Sequence, residues 1–247
     1  MSDAPSKLLP ALPHGPLEQV LPGLYFVTGT MAMAGPMPVS FSRNMTVIVE
    51  DDRLILVNTV RLDEAGLAAL DALGRVTDVI RIAGFHGRDD GFYRQHYGAR
   101  VWAMKGHRYT SGLNAKATKT YLEPDVYIGD DTRLPIADAT LYRIESDPPE
   151  GLLLLARDKG VAIAGDALQN WDAPDKYFSF FGKTMMRFMG FIKPCNVGPG
   201  WYKNARPPLE QVRGLLALEF DSLLPAHGKA VIGGAKARFR PAIDKLT

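Results

Sequence analysis

The chain has 247 residues, 46% hydrophobic and 23% charged, with a formal net charge of +2, enough for one large α/β domain. That charge is too small to point to nucleic acid, and the basic run Lys236, Arg238 and Arg240 reads as a solvated helix face. A single cysteine, Cys195, excludes an internal disulfide and any multi-cysteine zinc site.

Residues 1–17 read as a Pro-rich arm without the apolar core of a signal peptide. No stretch approaches the ~20 continuous apolar residues of a membrane span. The expectation is a soluble, cytoplasmic protein with no transmembrane segment. Residues 18–247 show no separating linker and form a single domain.

Residues 20–28 read as an opening strand, and 29–38, rich in Gly, Met and Pro, as a loop. The apolar runs 45–49 and 54–58, joined by Glu50-Asp51-Asp52-Arg53, predict a hairpin. Residues 63–73 carry Leu67, Leu70 and Leu73 at helical spacing, with carboxylates in the first turn and Gly74 at the end. A strand at 79–83 runs into Phe85-His86-Gly87-Arg88-Asp89-Asp90, followed by a short helix over 92–97 and a strand over 99–103. Further strands are expected at 140–144, 152–156, 161–164 and 222–224. Helices are expected over 177–192, over 207–218 and from about Gly234. Alternating strands and helices in both halves point to mixed sheets with helices packed on them.

Ligands in such sheets gather at the loops after strand ends. Three polar clusters occupy that position: His86-Gly87-Arg88-Asp89-Asp90, Gly165-Asp166 and Ala226-His227-Gly228. Their order and spacing resemble the metallo-β-lactamase superfamily, whose marks are an H-x-H-x-D-H loop, a Gly-His turn, a Gly-Asp and a terminal Gly-His-Gly. The segments VIRIAGFHGRDDGFYRQHYGARVWA, GVAIAGDAL and LLPAHGKAV carry the likeness. It implies a four-layer αβ/βα sandwich of class α/β, with two mixed β-sheets flanked by helices.

The resemblance also implies a ligand set, and this sequence departs from it. His86 and Asp90 hold their places in the first loop, but Arg88 and Gly91 stand where histidines belong. The turn Glu145-Ser146-Asp147-Pro148-Pro149-Glu150 has no histidine, while Asp166 and His227 match the family's later ligands. A dinuclear site needs about three protein ligands per metal, so two zinc ions are not expected. Two alternatives stay open. A single divalent metal (zinc, iron or manganese) could be held by Asp90, Asp166, His227 and His86. Or no cofactor binds, and the Arg88 guanidinium fills the site by pairing with Asp166 or Asp90.

The functional expectation divides in the same way. One reading is a hydrolase of an ester-, thioester- or lactone-like substrate, with His86, Asp90 and Arg88 as candidate catalytic residues. The other is a non-catalytic protein that binds a small ligand or a partner in the old cleft. A looser third option is metal-free acid–base chemistry by His86 with Asp90. The Met- and Phe-rich segment 177–192 is expected to be largely helical and to cover either the cleft or the partner in a homodimer, with Trp171 and Trp201 at the same mouth. His14, His96 and His107 lie outside any ligand spacing and read as surface or packing histidines.

Overall fold

A computed structural model describes residues 8–33, 39–109 and 122–247. The first half runs β1 (Glu18–Leu21), β2 (Leu24–Met33), β3 (Val39–Glu50), β4 (Arg53–Val57), α1 (Glu64–Asp71), β5 (Arg75–Arg81), α2 (Asp90–Tyr97), β6 (Arg100–Met104) and β7 (Val126–Ile128). The second half runs β8 (Ala139–Ile144), β9 (Glu150–Leu155), β10 (Val161–Ala164), β11 (Leu168–Gln169), α3 (Phe180–Phe188), β12 (Asn196–Val197), α4 (Pro199–Ala205), α5 (Leu209–Gly214), β13 (Ser222–Pro225) and α6 (Ala235–Asp244).

Strands β1 to β7 lie side by side in chain order, antiparallel as far as β4 and parallel from there. The second sheet has the order β13-β10-β9-β8, with only β10 and β13 parallel. Both sheets are therefore mixed, as expected. Side-chain alternation sets the layers. Along β4, Leu54 and Leu56 pack with Leu70 of α1 and Phe92 and Tyr93 of α2, while Ile55 and Val57 join Leu153, Ile163 and Leu224 of the other sheet. Along β10, Val161 and Ile163 face that central core, and Ala162 and Ala164 turn outward to Trp201, Val212 and Phe239 of α4, α5 and α6. Three apolar cores between four layers make the αβ/βα sandwich.

Helix α1 starts where its sequence places it, because Asp63 accepts a hydrogen bond from the Gly66 N–H at 2.8 Å. Other boundaries differ from expectation. The opening strand is broken at Pro22-Gly23, where Gly23 has φ +69°, a left-handed value that suits glycine and turns the chain into a hairpin. Residues 29–33 are not loop. They continue β2 and pair with β3 as far as Met33 opposite Val39, and this ladder overrides their lack of periodicity; residues 34–38 lie outside the described residues. The helix expected over 177–192 is confined to α3, whose start is capped by Ser179 accepting from the Gly182 N–H at 3.1 Å. Residues 8–17 lie against the body: the Gly15 N–H donates to Thr28 O at 2.8 Å and the Thr30 N–H to Pro13 O at 2.9 Å.

Candidate metal centre

Strands β5, β10 and β13 all end at one side of the sandwich, and each is followed by one of the three polar clusters. Their side chains converge. His227 Nε2 lies 3.0 Å from Asp166 Oδ1, His86 Nε2 lies 3.4 Å from the same oxygen, and the two Nε2 atoms are 3.2 Å apart. Among the described residues these three form the one cluster with potential to hold a metal.

The neighbours of His227 determine what its ring offers. Nδ1 donates to Ser42 O at 3.0 Å, which leaves Nε2 as the ring nitrogen that faces Asp166. Trp171 lies at 4.9 Å between ring centroids and donates from Nε1 to Ser42 Oγ at 2.8 Å. Asn44 of β3 donates to Pro225 O at 2.9 Å and Gly228 O at 2.7 Å, tying the His227 turn to the first sheet. Gly228 has φ +86°, and a Cβ there would meet the Asn170 carbonyl oxygen at 2.1 Å. Only glycine lets the turn approach this closely.

Burial lowers the His86 pKa below the ordinary imidazole value, against the pull of Asp166. Burial would raise the Asp166 carboxyl, but the two histidines outweigh it and hold the group well below the usual carboxylate range. Two imidazole nitrogens and a carboxylate oxygen thus meet at one place. Asp166 Oδ2 and His86 Nδ1 are buried and have no hydrogen-bond partner. The converging Oδ1 and Nε2 atoms lie so close that a proton or a cation must sit among them.

Glu150 holds the loops in register. One carboxyl oxygen accepts from the backbone N–H groups of Asp166 and Ala167, and the other accepts from the Gly84 N–H at 2.9 Å. Burial pushes its carboxyl well up, and the charge on Asp166 pushes it further. The sequence marks this turn only by its missing histidine. What it leaves unread is that an acid ending the turn at the first residue of β9 can fasten both neighbouring loops.

The other expected residues do not join the trio. Asp90 is fully buried and accepts from Thr59 Oγ1 and from Tyr109 Oη, both at 2.5 Å. It therefore meets neither His86 nor a shared metal position, which removes the acid–base pairing of His86 with Asp90. Arg88 pairs with Asp89 and donates to Pro10 O at 3.1 Å. No salt bridge from Arg88 to Asp90 or Asp166 is present among the described residues, so the Arg-filled site is not what forms. The reason is Asp89, a nearer carboxylate. A second arginine, Arg43 of β3, is buried with it and also donates to Thr59 O at 3.2 Å. The signal for Arg43 was a lone cation inside the otherwise uncharged run between Val39 and Val49.

A cavity of about 500 Å³ opens beside the trio. Met31 and Met33 of β2, Phe41 of β3, Met186 of α3 and Trp201 of α4 line it, and His86, Asp166 and His227 lie on its wall with Arg43 and Arg88. Trp171 and Trp201 both line this cavity, as expected. Its size and apolar lining suit a small organic ligand. His107 is a packing histidine, with Nε2 donating to Pro149 O at 2.7 Å. His14 takes the Asp63 N–H at Nε2. Cys195 is buried.

No family model matches the chain, and no curated protein matches it in sequence. Solved structures do. DIM-1 metallo-beta-lactamase exposed to ceftazidime is 13% identical, with 96% of this chain and 99% of that one covered at a TM-score of 0.60. The metallo-beta-lactamase from Pontibacter korlensis is 13% identical over 93% and 99%, with a TM-score of 0.58. The one from Erythrobacter litoralis is 14% identical over 93% and 92%, with a TM-score of 0.55. The chain has the metallo-β-lactamase fold; identities this low establish the fold alone.

Proposed function

We propose that the protein hydrolyses an ester-, thioester- or lactone-like carbonyl in an apolar substrate, with one divalent cation held by His86, Asp166 and His227. The observation that carries this reading is the convergence of three electron-pair donors on one point. The spacing fits a metal. Bonds of about 2.0–2.1 Å in tetrahedral geometry place donor atoms roughly 3.3 Å apart, against 3.0, 3.2 and 3.4 Å here. Two imidazoles and a carboxylate suit zinc or iron(II), and manganese is the third candidate. Such a cation would supply Lewis-acid chemistry at the carbonyl.

The protein's own groups do the rest. Ser42 holds Nδ1 of His227, burial disfavours the charged form of His86, and Glu150 holds the Asp166 loop against the His86 loop. The Met and aromatic wall binds the apolar part of the substrate and keeps water out, which strengthens electrostatic interactions at the trio. Asp90 and Arg88 have structural roles in this reading.

The test is turnover of acyl esters and thioesters of increasing chain length by metal-loaded protein. Rates should rise with chain length and vanish in His227→Ala. One metal per chain with no turnover of any carbonyl substrate would favour a second reading, a non-catalytic protein that binds a small apolar ligand in the cleft. The capture of Asp90 by Thr59 and Tyr109 supports that second reading, because it leaves the trio without the carboxylate that the family motif would bring to it.

A further inference from the structure

Helix α3 has two unlike faces. Met185 and Met186 turn inward to the cavity. Outward, Phe180 is 78% exposed and Phe188 93%, with Phe181 also open to solvent; Met189, though half exposed, belongs to the cavity side. At ~100° per residue, Phe180, Phe181 and Phe188 share one arc of the helix, and Lys183 and Arg187 flank it. Between Lys176 and Lys193 the chain carries four cations (Lys176, Lys183, Arg187 and Lys193) and no carboxylate. Burying large aromatics is strongly favourable, so a cluster left in water marks a contact surface.

The charge pattern selects the occupant. A second copy meeting this face about a two-fold axis would bring Lys183 and Arg187 against the same residues, with no acid in the segment to neutralise them. The aromatics stand out from the surface, Phe180 edge to face with Phe181 at 5.8 Å, and do not line the cavity, which suits a deformable partner. An anionic lipid surface meets both demands: phenyl rings enter the headgroup boundary and the cations meet lipid phosphates.

We propose that α3 docks the protein on an anionic membrane surface, with Phe180, Phe181 and Phe188 inserted and Lys183, Arg187 and Lys193 facing the headgroups. No helix among the described residues is long and apolar enough to cross a membrane, so the contact is peripheral. The same helix lines the cavity, so docking places that cavity beside a source of acyl-chain ligands. The proposal does not depend on the metal or on hydrolysis.

Co-sedimentation with phosphatidylcholine vesicles, with and without phosphatidylglycerol, tests it. Binding should appear with phosphatidylglycerol and fall as salt rises. Phe180→Glu/Phe188→Glu and Lys183→Glu/Arg187→Glu should each weaken it at least ten-fold, with thermal unfolding unchanged because these side chains lie outside the core. Equal partition of wild type and variants, or no binding to anionic vesicles, would overturn the proposal. So would a concentration-dependent dimer in sedimentation equilibrium that Phe188→Glu dissolves, because the face would then be a self-interface.

Discussion

Asp89 and Asp166 both lie at the end of the sandwich where β5 and β10 run out, and both are largely shielded from water, yet their charges are met differently. Asp89 is met from inside the protein: Arg43 and Arg88 pair with it, and the Arg61 N–H donates to it at 2.8 Å. Its neighbour Asp90 is just as well satisfied by Thr59 and Tyr109. Asp166 has backbone support around it but only two histidines at its carboxylate, and one oxygen has no partner. A saturated acid contributes to stability, whereas an unsaturated one between two imidazoles is a place for a ligand.

The largest contrast should come from the saturated side. Arg43→Met leaves the buried Asp89 carboxylate without its deepest partner and should cost about 3–5 kcal/mol in urea unfolding. Glu150→Gln comes next. An amide NH2 would replace one of two oxygens that accept only backbone N–H donors, costing about 1–3 kcal/mol and loosening the Asp166 loop in hydrogen exchange.

A group of neither kind sharpens the comparison. His107 donates once, has no partner at Nδ1, and burial lowers its pKa to about 3, with the charges of Arg81 and Arg143 acting the same way. The unfolded chain takes up this proton near pH 6.5 and the folded chain does not, so stability present above pH 6.5 is lost as pH falls toward 3. Between pH 7.5 and 5.5 the His107 share is about 1.4 kcal/mol, and the urea midpoint of His107→Gln should fall less over that interval. The smallest effect belongs to Asp166→Asn. In metal-free protein it should cost less than either Arg43→Met or Glu150→Gln, because only one of the two carboxylate oxygens has partners and an amide oxygen can keep them. Equal losses for Arg43→Met and Asp166→Asn would break the comparison.

The layers were legible in the sequence because period-two strands and capped helices are local signals: the run at Leu54 and Leu56 and the Asp63 start of α1 sit where expected. The break at Pro22-Gly23 was punctuated in the sequence, but the extension of β2 through Met33 depends on pairing with a strand whose own length was underestimated. Within the site, His86, Asp166 and His227 were marked by strand ends and by the family motif together, and the fold brings them to one place. The same motif put Asp90 and Arg88 beside them, whereas these two side chains take other partners. Alignment assigns a position but not the partner a side chain finds, and Thr59, Tyr109 and Asp89 lay closer than the cleft. Arg43, Ser42 and Glu150 act from strands or strand ends, where sequence reading expects packing.

Metal content measured by plasma emission on protein purified without chelator, then incubated with zinc, iron(II) or manganese and desalted, tests the central claim most directly. The account gives a ratio near one for the wild type and for Asp90→Asn, and near zero for Asp166→Ala, His86→Ala and His227→Ala. A wild type that retains none of the three metals, a ratio near two, or full loading of Asp166→Ala would contradict it.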